Sequence, residues 1–212
     1  MTAGEALADG IAALGLALDQ APQTKLLAYL TLLEKWNRTH NLTSIRGALR
    51  MVSHHLLDSL AVLPHLPRVV GLRLIDVGSG GGLPGMPLAI ARPGWQVVLL
   101  DSSQKKCAFL RQAAAELKLS NAEVVNSRAE SFVPTRLFDV VIARAFSGLA
   151  EFAAIATHLL ARGARLVAMK GAYPKAEIAA LPPHLAVVAV HPLEVPGVDG
   201  QRHLVILEMQ RR

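Results

Sequence analysis

The 212-residue chain has little cysteine and no long uninterrupted apolar segment. Its single cysteine, Cys107, excludes an intramolecular disulfide and leaves too few thiols for a cysteine-built zinc site. No apolar run approaches the roughly 18 residues that a membrane-spanning helix needs. Lys and Arg are absent before Lys25, whereas a secretory signal peptide begins with positive charge. We therefore expect a soluble, cytoplasmic protein that is neither exported nor bound to a membrane.

The chain has fewer acidic than basic residues. There are 22 Lys and Arg against 16 Asp and Glu, which gives a formal net charge of +6. A basic balance favours a polyanionic partner such as nucleic acid over an acidic protein. The basic residues begin only after the first helical segment, and several of them, Lys35, Arg38, Arg46 and Arg50, lie within one short stretch.

The hydrophobic pattern changes near residue 70. Before it, leucines recur at helical spacing, as in Leu26, Leu30 and Leu33, and this predicts an N-terminal helical cap. After it, the short apolar runs LRLIDV, QVVLLD, AEVVN, FDVVIA and ARLVAMK alternate with helical segments, which predicts a parallel, doubly wound sheet. The last two runs, HLAVVAVHPLEV and RHLVILEMQ, are too close for a crossover helix, so the last strand should be antiparallel. We therefore predict an α/β, Rossmann-like fold with a mostly parallel seven-stranded sheet, divided into a cap, 1–70, and a cofactor-binding domain, 71–212.

Five glycines crowd the segment LIDVGSGGGLPGMPLAI, residues 74–90, where a strand leads into a helix. Such a loop could hold a phosphate, a nicotinamide dinucleotide or S-adenosylmethionine, and its G-x-G-x-x-G spacing alone is weak evidence. No Lys-Ser or Lys-Thr follows the glycines, which disfavours a phosphate loop. Asp76 stands two residues before Gly78, and this acid-x-Gly-x-Gly-x-Gly order resembles the first motif of class I, Rossmann-like S-adenosylmethionine methyltransferases.

Two more strand ends carry residues suited to an adenosine cofactor. Asp101 ends the second strand, where an acidic residue accepts the ribose hydroxyls in both nicotinamide and methionine-derived cofactors. Its alternative role is the N-cap of the helix that begins near Ser103. After the third strand, Ala129 and Glu130 are expected to flank the adenine amino group.

The fourth strand ends in ARAF, residues 143–146, and this segment lacks groups that other methyl transfers need. Exocyclic-amine methyltransferases carry Asn-Pro-Pro-aromatic or Asp-Pro-Pro-aromatic there. Carbon methylation of pyrimidines uses a cysteine, and Cys107 lies on the apolar face of a predicted helix, so we expect it in the core. The remaining targets are intrinsically nucleophilic atoms such as guanine N7, whose methylation requires proximity, alignment and electrostatics but no general base.

Over nearly its whole length, the chain resembles the bacterial glucose-inhibited division protein B family of 16S ribosomal RNA guanine-N7 methyltransferases. The resemblance rests on the segments WNRTHNLTSI, HHLLDSL, DVGSGGGLPGMPLAI, LLDSSQKKCAFLRQ, SRAE, ARAF, MKG and DGQRHLVIL. It implies S-adenosylmethionine as the cofactor and the 16S RNA, the small subunit or an assembly particle as the partner. The implied target is a guanine in the hairpin loop near the decoding centre.

The family resemblance, together with the strand-end positions, assigns roles to particular residues. The expected cofactor-binding residues are Gly78, Ser79, Gly80, Leu83, Asp101, Ser102, Ala129, Glu130 and Arg144. The expected catalytic residues are Arg144 and Lys170, and the expected RNA contacts are Arg128, Lys170, Arg202 and His203. A basic path is predicted to connect Lys35, Arg38, Arg46 and Arg50 with Arg128 and Lys170. The alternative for these residues is ordinary polar or charged decoration of strand ends and sheet edges.

Other functions and sites remain open on the sequence. His40, His54 and His55 lack acidic or thiol companions, so polar packing is expected and no metal site is predicted. A nicotinamide-dependent oxidoreductase and a non-catalytic RNA-binding assembly factor are the alternative functions. Asp76, Asp101 and Glu130 argue against the assembly factor, since it has no need of a cofactor site. We expect a monomer.

Overall fold

The first third of the protein is helical. The computed structural model describes residues 1–146 and 148–210. Its first elements are α1 (Ala3–Ala13), α2 (Gln20–His40), α3 (Ala48–Met51), a π-helical turn (Val52–Leu57), α4 (Asp58–Leu60) and a 3-10 turn (Leu63–His65). A capping box starts α1, because Thr2 Oγ accepts the Glu5 N–H and the Glu5 carboxylate accepts the Thr2 N–H.

Strands and helices alternate from residue 73 onward. They are β1 (Arg73–Val77), α5 (Gly85–Ala91), β2 (Gln96–Asp101), α6 (Gln104–Glu116), β3 (Ala122–Asn126), β4 (Phe138–Arg144), α7 (Leu149–Ala156), β5 (Leu160–Lys170), α8 (Lys175–Ala179), β6 (Leu185–Pro192) and β7 (His203–Met209). The strand order is β3-β2-β1-β4-β5-β7-β6, with β1 to β5 parallel and β7 antiparallel to both of its neighbours. The predicted seven-stranded sheet with an antiparallel last strand is confirmed.

The strand order reverses at β1, which pairs with β2 on one side and β4 on the other. Chain segments that leave the carboxyl ends of β1 and β4 therefore turn to opposite faces of the sheet. This topological switch opens a crevice at the strand ends, where ligands bind in open α/β sheets. The glycine loop lies at this edge.

Apolar side chains alternate between the two faces of the sheet and build one core on each. Leu74 and Leu99 point to the face that α2, α5 and α6 cover, whereas Ile75 and Val98 point to the face that α7 covers. The cap leucines belong to the first of these cores, so cap and sheet pack as one hydrophobic body. The division of the chain into a cap, 1–70, and a cofactor-binding domain, 71–212, stays a prediction. Cys107 is buried, as the sequence predicts.

The helical spacing of Leu49, Val52, Leu56 and Leu60 predicts a continuous helix in the second half of the cap, and the structure differs from this prediction. Val52, Leu56 and Leu60 are buried, but Leu49 is 44% exposed. The reason is the π-helical turn Val52–Leu57, which adds a residue to the helical register and rotates the face before it away from the core. The same segment, residues 49–60, buries four polar side chains, Ser53, His55, Asp58 and Ser59.

Tyr29 joins the cap to the glycine loop. It is fully buried on α2, and its hydroxyl donates a hydrogen bond to the carbonyl oxygen of Gly81. Burial raises the pKa of the Tyr29 hydroxyl, so it remains a donor. A Cβ at Gly81 would lie 3.1 Å from Cδ1 of Leu33 on the same helix, which shows how closely α2 approaches the loop.

We predict that Tyr29→Phe lowers the free energy of unfolding by about 1–3 kcal/mol, because it leaves the buried Gly81 carbonyl without its donor. Urea unfolding followed by circular dichroism measures the change. Tyr173→Phe is the matched control, since Tyr173 is exposed. Equal stability of the two variants would contradict an anchoring role for Tyr29.

Candidate active site

Three glycines give the loop after β1 its shape. Gly78, Gly80 and Gly82 have φ values of +70°, +59° and +89°, a region that other residues rarely adopt. The loop is fixed to β2, since the N–H groups of Gly78 and Ser79 donate to the carbonyl oxygen of Leu100 at 2.8 and 3.0 Å.

Gly82 and Gly85 allow the loop to pack tightly. A Cβ at Gly82 would lie 2.8 Å from Cδ2 of Leu110, and a Cβ at Gly85 would lie 2.3 Å from Cδ2 of Leu99. These two positions therefore require glycine for contact with α6 and β2, whereas Gly78 and Gly80 are at the open side of the loop.

The buried carboxylate of Asp76 has a structural role in the loop. It is fully buried, and its Oδ2 accepts the Gly85 N–H at 2.8 Å, while its Oδ1 has no partner. Burial raises the pKa of Asp76 to about 7, against the opposing effects of the Gly85 N–H and of Arg144. The first acid of the glycine motif thus holds the loop to the start of α5.

Asp101 holds the other side of the loop. Its Oδ2 accepts the Gly80 N–H at 2.9 Å, and its Oδ1 accepts the Ser103 N–H at 2.8 Å. The ammonium of Lys106 lies 3.8 Å from Oδ2. The alternative role of Asp101, as the N-cap of α6, is excluded, because Ser103 has that position and its Oγ accepts the Lys106 N–H. Asp101 precedes the cap and faces the crevice.

A first cleft of about 330 Å³ opens between the ends of β1, β2, β3 and β4. Its lining includes five of the residues predicted to bind a cofactor: Gly78, Asp101, Ser102, Ala129 and Glu130. Leu100, Phe146 and Ile155 supply apolar walls. Ser79 and Leu83, which were also predicted, are buried behind the loop and do not line the cleft, and neither does Gly80.

A second cleft of about 340 Å³ lies between the cap and the ends of β4, β5 and β7. It brings together four predicted residues, Arg144, Lys170, Arg202 and His203. The cap contributes Thr43, Ser44, Ile45, His54, His55 and Asp58. Arg128 is not part of this cleft, because it follows β3, where its exposed side chain lines the first cleft.

Residues 144–146 form a wall that both clefts share. Arg144 and Ala145 line the second cleft, whereas the ring of Phe146 lines the first and lies 5.2 Å from the ring of Phe152. The ammonium of Lys170 donates to the Phe146 carbonyl oxygen at 3.0 Å, so a side chain of the second cleft supports a wall of the first.

The cations of the second cleft are held by ion pairs. Arg144 lies 3.3 Å and Arg202 3.2 Å from the Asp58 carboxylate, and Lys170 lies 2.9 Å from the Glu177 carboxylate. The side chains of Arg144 and Lys170 are only 25% and 12% exposed, so the alternative of solvated strand-end charge is wrong for both. Sequence reasoning missed Asp58, although an acid within the apolar run HHLLDSL is a signal for a buried charge.

His55 orders the cap side of the second cleft. It is 3% exposed, its Nε2 lies 2.9 Å from Thr43 Oγ, and its Nδ1 has no partner. The Thr43 N–H in turn donates to Oδ1 of Asn37 at 2.9 Å. Burial and the nearby charge of Arg144 lower the pKa of His55 to about 4, against the opposing effect of a hydrogen bond with the His54 backbone. The predicted polar packing is confirmed for His55.

Residues 1–146 and 148–210 contain neither a metal-binding cluster nor a membrane-spanning helix. Within that range, no group of three or more His, Cys, Asp or Glu side chains is arranged to hold a metal ion. No helix in the same range has the length and apolar character to cross a membrane.

The chain is similar to known methyltransferases. Residues 22–205 match the family model GidB, described as rRNA small subunit methyltransferase G. A ribosomal RNA small subunit methyltransferase G from Laribacter hongkongensis (strain HLHK9) is 52% identical over 210 residues, which cover 99% of this chain and 100% of the relative.

Two solved methyltransferase structures share the fold. TrmN from Thermus thermophilus has a TM-score of 0.60 and 25% identity, over 82% of this chain and 53% of that one. The glycopeptide N-methyltransferase MtfA complexed with S-adenosyl-L-methionine has a TM-score of 0.59 and 17% identity, over 74% and 96% of the two chains.

The lowered pKa of His55 predicts an acid-sensitive fold. Because unfolding returns His55 to an ordinary pKa near 6.5, its contribution to stability is complete above that pH and is lost as the pH falls towards 4. We expect this contribution to be about 2 kcal/mol smaller at pH 5 than at pH 8. The raised pKa of Asp76 has the opposite sign, since it favours the folded state at low pH.

Urea unfolding of wild type and His55→Gln at pH 8 and pH 5 isolates this effect, because the contribution of Asp76 cancels between them. His184→Gln is the matched control, since that side chain is exposed. If His55→Gln lost as much stability on acidification as wild type does, the buried neutral state of His55 would be contradicted.

Proposed function

The chain belongs to the GidB family of rRNA small subunit methyltransferase G proteins, and from this premise we propose that it methylates N7 of a guanine in 16S ribosomal RNA. Its methyl donor is S-adenosyl-L-methionine. The observation that carries the proposal is the pair of clefts that share the wall 144–146, one lined by adenosine-type acceptors and one lined by cations. The chain's relatives give no support to the oxidoreductase or to the non-catalytic assembly factor.

The first cleft suits the donor. Gly78 leaves bare backbone at the open side of the loop, and among residues 1–146 and 148–210 only the Phe146 ring lies within 4 Å of the position that a Cβ there would take. Both Asp101 oxygens already accept one N–H, but a carboxylate oxygen can accept two, so the ribose hydroxyls can be accommodated. When bound, the donor supplies an electrophilic methyl group on a sulfonium. Ala129 and Glu130 are proposed to hold its adenine end.

The remaining predicted cofactor residues act on the donor in other ways. None of Ser79, Gly80 and Leu83 lines the first cleft: Ser79 and Leu83 are buried and shape the loop, and Gly80 provides the N–H that Asp101 accepts. Ser102 lines it beside Asp101, and Arg144 reaches the donor site from the shared wall.

The second cleft suits a nucleotide of the RNA. Arg144, Lys170, Arg202 and His203 offer N–H donors for guanine and phosphate oxygens. Guanine N7 carries a free lone pair, so no proton has to be removed before it attacks. Arginine does not serve as a base at neutral pH, and we assign Arg144 to orientation.

The basic path for the RNA extends beyond the second cleft in this proposal. Arg128 is exposed and lines the first cleft, and Lys35, Arg38, Arg46 and Arg50 are exposed on the cap. We propose that these side chains contact phosphates of the 16S RNA in the small subunit or its assembly particle. A monomeric, cytoplasmic state belongs to the same proposal.

Methyl transfer to small subunits tests the function. We expect the purified protein to move label from S-adenosylmethionine onto a single guanine N7 of 16S RNA, in subunits from cells that lack the gene. Reverse transcription after cleavage at 7-methylguanine maps the base. Label on another nucleotide, or on none, would contradict the proposal.

The same assay under single-turnover conditions tests the mechanism. Without a general base, the wild-type rate should show no titration between about pH 6 and 8 that depends on a side chain of the second cleft. Asp76, whose pKa is about 7, is buried and lines neither cleft. Arg144→Gln should lower the rate at every pH, by about 10- to 100-fold, because orientation is lost. Arg165→Gln is the matched control, since Arg165 pairs with Glu208 at 3.1 Å outside both clefts. A sigmoidal profile abolished by one substitution would mean that a base exists.

Gly80→Ala should weaken binding of S-adenosylmethionine about tenfold, as measured by calorimetry. The cause is backbone strain of about 1–2 kcal/mol at a φ of +59°, which displaces the N–H that Asp101 accepts. Gly15→Ala is the control, because Gly15 has a φ of +64°, no atom within 4 Å of an added Cβ, and no part in either cleft. Equal weakening in both variants, or heat from a nicotinamide dinucleotide, would count against the loop as the donor site.

A further inference from the structure

Asp58 joins three segments of the second cleft that lie far apart in sequence. It lies on the cap and is 4% exposed. Its Oδ2 accepts from Nη1 of Arg144 at 3.3 Å, and its Oδ1 accepts from Nε of Arg202 at 3.2 Å. The end of β4 and the start of β7 are therefore fixed against the cap by the two oxygens of one carboxylate.

Backbone oxygens complete the positions of the two arginines. Nη1 of Arg144 also donates to the His54 carbonyl oxygen at 3.2 Å, and Nη1 of Arg202 donates to the Gln201 carbonyl oxygen at 2.9 Å. Each guanidinium is thus held by a charge and by a carbonyl, which restricts its orientation. A guanidinium has five N–H donors, so both arginines keep donors for a ligand.

Stability alone does not account for this arrangement. Removing a carboxylate from water is costly, and buried ion pairs are often no more stable than apolar side chains of the same volume. Two guanidiniums around one carboxylate also leave a net charge of +1. The arrangement is better explained by what it presents to the second cleft.

Asp58 is the one acidic residue among those that line the second cleft in the described chain. The other charged or titratable side chains there are Arg144, Lys170, Arg202, His54, His55 and His203. Glu177 neutralises Lys170 from outside this lining. Asp58 therefore supplies the negative charge nearest to whatever occupies the cleft.

The proposed reaction moves positive charge from the donor to the guanine. The N7 lone pair of guanine forms the new carbon–nitrogen bond while the carbon–sulfur bond of the donor breaks, and its electron pair stays on sulfur. One positive charge passes from sulfur to the guanine ring. A cleft lined only by cations would oppose this transfer, and a nearby carboxylate favours it.

We propose that Asp58 is a positioning residue for methyl transfer, which fixes Arg144 and Arg202 against the bound guanine and offsets the positive charge that the guanine acquires. This inference rests on the proposed function. It predicts that Asp58 acts on turnover rather than on binding.

Asp58→Asn tests the inference, because it preserves the size of the side chain and removes its charge. We expect the single-turnover rate on small subunits to fall at least tenfold, with the affinity for S-adenosylmethionine within twofold of wild type. Affinity for the RNA should be unchanged or tighter, since the cleft becomes more positive. A merely structural role would instead weaken both kinds of binding together with the rate.

A double-mutant cycle tests whether Asp58 acts through its partners. In an Arg202→Gln background, Asp58→Asn should have an effect on the rate at least threefold smaller than in wild type, because one of its two partners is already gone. Asp139→Asn is the matched control: Asp139 is exposed, its carboxylate accepts the Arg73 N–H at 2.9 Å, and it lines neither cleft.

Three results would overturn the inference. The first is an Asp58→Asn rate within twofold of wild type, and the second is an RNA affinity that falls in step with the rate. The third is a double mutant whose rate is lowered by the product of the factors measured for the two single mutants. Failure of the proposed function would look different, since the wild-type protein itself would then transfer no methyl group to the small subunit.

Discussion

The strand-end site depends on how the glycine loop is held. A loop that passes through positive φ at Gly78, Gly80 and Gly82 cannot be stabilised by a regular ladder of hydrogen bonds, so side chains from elsewhere must fix it. Asp76 accepts the Gly85 N–H from β1, Asp101 accepts the Gly80 N–H from β2, and Tyr29 donates to the Gly81 carbonyl from the cap. The loop is therefore clamped by both neighbouring strands and by α2. If the first cleft holds the donor, as we propose, the cap is part of the donor site even though no cap residue lines that cleft.

Local patterns in the sequence predicted what depends on local structure. The alternation of apolar runs predicted seven strands in the observed order of succession, and the spacing of Asp76 and the glycines predicted the loop at the end of β1. Tertiary contacts decided the rest. Nothing near Asp58 in sequence indicates that Arg144 and Arg202 meet it, since they are 86 and 144 residues away. The alternative of a capping role for Asp101 is excluded only by the structure, in which its oxygens accept from the glycine loop and from the Ser103 N–H.

The two clefts differ in charge for a chemical reason. In the first, three acids, Asp101, Glu130 and Glu151, outnumber two cations, Lys106 and Arg128, among the described residues, and the remaining walls are partly apolar, which suits a hydroxyl-rich nucleoside with a positively charged sulfonium. The second gathers cations, which suits a phosphate backbone. Cations alone would penalise a guanine that becomes positively charged, so substrate binding and turnover make opposite demands on the same cleft. The buried Asp58 reconciles them: it lowers the local positive charge at the centre, while exposed arginines such as Arg46 and Arg50 remain on the cap for the RNA.

Direct transfer between two bound molecules also restricts the wall between the clefts. Reacting atoms have to approach to about 3–3.5 Å, so the chain that separates donor from acceptor must be thin and must leave an opening. Residues 144–146 meet the first of these demands with a single pass of the chain, which turns at Ala145 with a φ of +65°. That turn sends Arg144 and Phe146 to different clefts, and the methyl side chain of Ala145 leaves little bulk between them. A Pro-Pro tetrapeptide or a cysteine nucleophile would add atoms there that a reaction at a free lone pair does not use. The plain ARAF sequence is thus consistent with catalysis that depends on alignment alone.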